Sequence, residues 1–81
     1  MDIFEKLCEY WGEKVPLMAA EEFGELTVAI SQRERGRISD DAVAKEIADV
    51  IISCGMLCHR YDISLEEVIG KIVKKLEKEY K

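Results

Sequence analysis

One proline in 81 residues leaves little to interrupt long helices, and Pro16 stands where a helix can start rather than inside one. Strict apolar/polar alternation, internal repeats and low-complexity stretches are absent, so neither a strand-built domain nor a repeat array is expected. No apolar run approaches the length of a membrane span. Met1 leads directly into an amphipathic segment, without the basic stretch, apolar stretch and small-residue cleavage site of a secretory leader. The expectation is a cytoplasmic protein with no membrane partner. Three cysteines are an odd number, which favours reduced thiols over a disulfide framework. The segment CGMLCH has one residue too many for haem attachment, and no second His or Cys pair supports zinc. Cys54 and Cys58 are therefore expected as core thiols. Basic excess is also missing: 12 Lys and Arg against 17 Asp and Glu, interleaved along the chain, give a net charge of −5. Nucleic-acid polymers, which bind through Lys/Arg patches that release counterions, are disfavoured as partners. A nucleotide carried in with its own magnesium is not.

Apolar residues nevertheless make up 48% of the chain, which argues against disorder. The first helix is expected over about residues 2–11, with Asp2 near its positive end and Gly12 stopping it. The second begins near Pro16 and continues to about Arg33, and the turn RERGRIS follows. Ser39 or Asp40 can cap a third helix that reaches about Tyr61, with Gly55 as a weak internal point. Ser64 followed three residues later by Glu67 is a capping-box signature for a fourth, which ends in the C-terminal lysines. These signals describe one all-α domain over residues 1–81, a short four-helix chain assembling into an oligomeric helical bundle. Oligomerisation is expected because so short a chain has a marginal core. The third helix is also apolar over more than half its circumference, through Val43, Ala44, Ile47, Ala48, Val50, Ile51, Cys54, Leu57 and Cys58. Pairing of two chains would bury that surface, with two-fold symmetry the commonest solution.

Two carboxylate pairs carry the chemistry. Glu22 with Glu25 in EEFGEL and Glu46 with Asp49 in KEIADV are each spaced i, i+3, which places both members on one face of a helix. At roughly 100° per residue, Glu22 falls inside the apolar arc of Val15, Met18, Ala19, Leu26, Ala29 and Ile30, and Glu25 at its edge. On the next helix Lys45, Glu46, Asp49, Ser53 and Arg60 form one polar stripe in an otherwise apolar segment. Two like charges about 4 Å apart repel by about 4 kcal/mol at an effective dielectric near 20, and burial adds a desolvation penalty. Four such acids converging from two helices call for a divalent cation. Magnesium takes hard oxygen ligands and completes its shell with water and substrate phosphate, so the expected cofactor is Mg2+, with Mn2+ able to substitute. A phosphoanhydride already has a good leaving group. The protein need only neutralise charge, fix an in-line geometry and supply water, which a carboxylate-held metal and a neighbouring carboxylate can do. No Ser-His-Asp or Cys-His nucleophilic set is evident.

EEFGEL and EIAD, with twenty residues between Glu25 and Glu46, resemble the EExxE and ExxD pattern of the MazG-like all-α nucleoside triphosphate pyrophosphohydrolases. A Trp ahead of the first motif, a Gly-containing turn between the two and the segment YDISLEEVIGKIVKK extend the resemblance over nearly the whole chain. It implies hydrolysis between the α and β phosphates of a nucleoside triphosphate, giving a monophosphate and pyrophosphate. Glu22, Glu25, Glu46 and Asp49 would be the metal ligands, and the unit a homodimer or homotetramer. ADVI followed by DISLEEVIGKI also resembles phosphoribosyl-ATP pyrophosphatase, but that family typically has Tyr-His after the ExxD acid, where this chain has Val50 and Ile51. A non-catalytic helical assembly module, whose acids pair with a basic partner, is the alternative outside enzymology. Glu21 either orients a water or pairs with a basic residue. Arg60, Lys71, Lys74 and Lys75 are candidates for phosphate oxygens, set against the ordinary solvation of basic side chains. Trp11 either stacks on a base or serves the core or an interface.

Overall fold

The computed structural model describes residues 2–80, and every regular element among them is helical. Helix α1 (Ile3–Trp11) opens on Asp2, whose carboxylate accepts the Phe4 N–H at 2.7 Å, and closes at Gly12, where φ of +56° suits a residue without Cβ. A 3-10 turn, Gly12–Lys14, leads into α2 (Val15–Glu34), with Pro16 in its first turn. Gly36, at φ +71°, reverses the chain: its N–H and that of Arg37 bond the Arg33 and Gln32 carbonyls, both at 2.9 Å. Helix α3 (Asp40–Arg60) starts at Ser39, whose Oγ accepts the Ala42 N–H at 3.1 Å. Helix α4 (Leu65–Glu79) begins with the complete Ser64/Glu67 capping box.

Helices α2 and α3 pack along each other as a hairpin, and α1 lies across α3. Val15, Ala19 and Ala29 of α2 and Ser53, Gly55 and Met56 of α3 are the buried residues of this assembly. The glycine expected to weaken α3 has a packing role. A Cβ at Gly55 would come within 2.3 Å of the Phe4 ring, so its absence lets α1 approach α3.

Much apolar surface stays uncovered. Ile47, Ile51 and Cys54 face outward from α3, away from α1 and α2. The placement of Cys54 corrects the expectation of a core thiol: the hairpin has no layer on that side. Ile30, expected within the buried arc of α2, is likewise half exposed. Helix α4 has no buried residue and touches the other helices hardly at all, although Leu65, Ile69, Ile72 and Leu76 form an apolar stripe along it. The radius of gyration, 15.0 Å, exceeds the roughly 12 Å expected for a compact chain of this length. No helix among the described residues is long and apolar enough to cross a membrane.

Candidate metal centre

The two halves of the acidic pattern meet where α2 packs on α3. Glu22, Glu25 and Glu46 each offer a carboxylate oxygen, and the three oxygens lie within 4.8 Å of one another. Glu22 is carried inward because its neighbours on the helical face, Ala19 and Ala29, are buried against α3, while Glu25, one turn on, stays at the rim. Glu46 reaches the same point from α3 and is half-buried.

Burial without compensation sets the electrostatics. Glu22 Oε2 and Glu46 Oε2 are shut off from solvent and have no hydrogen-bond partner among the described residues. A buried, unpaired carboxylate oxygen costs several kcal/mol by typical desolvation values. Desolvation pushes the Glu22 carboxyl above the usual carboxylate range, and the charges of Glu25, Asp49 and Glu46 push it the same way. No basic side chain among the described residues forms an ion pair with these acids. Among the described residues the one ion pair joins Arg33 to Asp40, at the turn between α2 and α3.

The donor set fits a hard divalent cation. Three carboxylate oxygens lie within 4.8 Å of one another, slightly more than twice a magnesium–oxygen bond of about 2.1 Å, and two of the three carboxylates each carry a buried oxygen with no partner among the described residues. Asp49, also half-buried, is not part of the three-oxygen cluster. It lies on the far side of Glu22, where both line a small cavity of about 160 Å³ with Trp11, Met18 and Ser53. The Ser53 hydroxyl donates to the Asp49 carbonyl at 2.9 Å, within the helix, so the Asp49 carboxylate is not held by that bond.

On the other side of the cluster an open groove of about 710 Å³ runs along α2. Glu21, Gly24, Glu25, Val28, Ala29 and Gln32 line it from α2, Glu46 from α3 and Ile38 from the turn between them. Sequence reasoning found Glu21 but passed over Gly24, Val28 and Gln32. Their positions at i+3, i+7 and i+11 from Glu21 were the available signal for one continuous face.

The basic candidates do not join the three-oxygen cluster. Arg60 donates from Nη1 to the Gly12 carbonyl at 3.2 Å, tying the end of α3 to the turn between α1 and α2. Lys71 and Lys74 line a hollow on α4 with Glu67 and Gly70, and α4 does not pack on the hairpin. Within one chain, neither lysine is brought to the cluster. Trp11 meets Tyr10 edge to face at 5.5 Å and borders the Asp49 cavity, so it is neither a core residue nor remote from the acids. Cys8 donates its thiol to the Met56 carbonyl at 3.3 Å, and burial raises its pKa, as expected for an inert packing thiol.

Residues 12–81 match the family described as the MazG nucleotide pyrophosphohydrolase domain, so α1 alone lies outside the match. No curated protein and no solved structure matches the chain. The family match and the unneutralised acid cluster both point to nucleotide-pyrophosphatase-type chemistry. A match running from the end of α1 through α4, and including both carboxylate helices, shows that this chain belongs to the MazG nucleotide pyrophosphohydrolase domain family.

Proposed function

We propose that the chain is a magnesium-dependent nucleoside triphosphate pyrophosphohydrolase that cleaves the anhydride between the α and β phosphates. The products are a nucleoside monophosphate and pyrophosphate. The observation that carries this reading is the convergence of Glu22, Glu25 and Glu46 beside an open groove, with a buried, partnerless oxygen on each of Glu22 and Glu46. A pairing surface for a basic partner would present its acids to solvent, whereas these oxygens are turned inward.

Glu22, Glu25 and Glu46 are assigned to the cation, with Asp49 completing the set from the far side of Glu22. When bound, the cation supplies charge neutralisation at the phosphate oxygens and makes a water more acidic. Glu21 has no basic partner among the described residues and lines the groove beside Glu25, which favours its role in orienting the attacking water and accepting its proton. The functional unit is read as a homodimer or homotetramer. The outward face of α3 and the bare stripe of α4 supply the apolar surface, and a second copy would supply the cover. Lys71 and Lys74 would then serve phosphate oxygens from α4 of the second copy, while Trp11 borders the Glu22/Asp49 cavity within the chain. A cytoplasmic setting belongs to the same reading.

Incubation with a panel of ribo- and deoxynucleoside triphosphates and phosphoribosyl-ATP, with magnesium and with excess chelator, tests it. Pyrophosphate release that stops in chelator is expected. Orthophosphate as the first product, or turnover indifferent to chelator, would refute it.

A further inference from the structure

The groove has more to say than the acids beside it. Its volume of about 710 Å³ falls within the range of small-molecule sites, whereas the Asp49 cavity, at about 160 Å³, falls below it. The groove wall is mainly apolar, from Val28, Ala29, Ile38 and the open backbone at Gly24, where a Cβ would meet nothing within 4 Å. One uncharged polar side chain interrupts it. Gln32 is half-buried and makes no side-chain hydrogen bond with any described residue. It stands seven residues, about 10 Å along the helix axis, beyond Glu25 on the same face.

On the basis of the pyrophosphohydrolase reading above, we infer that this groove holds the nucleoside and that Gln32 reads the edge of the base. A triphosphate gripped at Glu22, Glu25 and Glu46 has its nucleoside end free to extend away from the cation. The groove is continuous with that grip through Glu25 and Glu46. Its apolar wall takes the flat faces of sugar and ring. The amide of Gln32 offers one acceptor and two donors side by side, a pattern that matches an exocyclic amine next to a ring nitrogen. The surrounding charge selects among bases. Glu21, the groove carboxylate not assigned to the cation, keeps the lining acidic and no cationic side chain offsets it, so a base edge bearing an exocyclic amine is favoured over one bearing a carbonyl oxygen at the same place. Adenine and cytosine fit this rule, and uracil and thymine do not.

The test compares the wild-type protein with Gln32→Leu and Gln32→Glu on ATP, CTP, UTP and ITP, measuring pyrophosphate release and, by light scattering, assembly mass. Wild type is expected to prefer ATP or CTP. Gln32→Leu loses both amide contacts and should narrow the kcat/KM ratio between the preferred triphosphate and UTP by about tenfold. Gln32→Glu keeps an acceptor for the amine but loses the donor, so it should fall between the two. Hydrolysis of inorganic tripolyphosphate, or its binding if it is not cleaved, should be unchanged in both variants. Equal loss on every base, or wild-type turnover with no preference for amine-bearing bases, overturns the inference and leaves the pyrophosphohydrolase reading intact. A change of assembly mass in Gln32→Leu with unaltered base preference means that a second copy fills the groove, and overturns it as well. Absence of pyrophosphate release from every triphosphate overturns both.

Discussion

Replacement of Glu22 by Gln keeps the side chain's shape and removes the charge that the fold treats worst. The carboxylate oxygens of Glu22, Glu25 and Glu46 lie within 4.8 Å of one another, and Coulomb's law at an effective dielectric of 20 gives roughly 3.5 kcal/mol of repulsion per fully charged pair at that distance. Two pairs involve Glu22. The gross figure overstates the gain, because Glu25 is exposed and screened, and because Glu22 takes up a proton once repulsion exceeds the cost of protonation. A net stabilisation of about 1–2 kcal/mol in chelator at neutral pH is therefore expected, or roughly 5–10 °C in Tm for a chain of this size. The pH dependence has a definite sign. The Glu22 pKa is raised on folding above its ordinary 4.5, so between the two values the folded state holds more protons and stability falls as pH rises. The metal-free wild type should melt higher near pH 5 than near pH 8, and Glu22→Gln should flatten that slope. Asp40 acts oppositely: Arg33 holds its pKa below 3.8, so its small surface contribution is present at higher pH and lost as the carboxyl protonates. Magnesium should raise the wild-type Tm by mass action, about 2.7 kcal/mol at a hundred times Kd, and do much less for the variant. The assay is a thermal melt of both proteins across pH, with magnesium and with chelator. Equal metal-free stability together with an equal magnesium shift in the two proteins would refute the shared site.

Asp49→Asn tests the one acid that stands outside the three-oxygen cluster. It should lower magnesium-dependent pyrophosphate release at least tenfold if Asp49 completes the ligand set, whereas an activity within twofold of wild type would confine the site to Glu22, Glu25 and Glu46. Ile51→Glu places a charge on the outward apolar face of α3 and should reduce the mass seen by light scattering at micromolar concentration, with wild type as dimer or tetramer. A wild-type monomer with full activity would show that this face needs no cover. Gly55→Ala should destabilise the fold by about 1–2 kcal/mol, since crowding of the Phe4 ring outweighs the roughly 1 kcal/mol gained in helix propensity. A higher Tm would mean that α1 moves aside freely.

The sequence by itself determined what local rules decide. Asp2, Gly12, Pro16, Ser39 and the Ser64/Glu67 box mark helix ends by satisfying backbone groups within a few residues, and the structure uses each where the sequence places it. The same period of 3.6 made the two acid pairs legible and put Glu22 inside an apolar arc. Convergence of α2 with α3 was also foreseeable, because a short turn between two long amphipathic helices leaves them little choice but to pack together.

Tertiary structure decided how unequal the acids are. Burial of Ala19 and Ala29 draws Glu22 and Glu46 inward, leaves Glu25 at the rim and sets Asp49 on another side, distinctions that one-turn spacing does not carry. It also decided which apolar positions are core. Periodicity reports that a face is apolar, but only packing reports whether anything lies over it. Cys54, Ile47 and Ile51 look outward because α1 and α2 occupy the other faces of α3, and α4 carries an apolar stripe that the other described helices hardly touch. Gln32 stayed invisible for a related reason. A glutamine on a helix is unremarkable until the helix beside it leaves a groove open, and the width of that groove is set by how two surfaces meet, which no single stretch of sequence encodes.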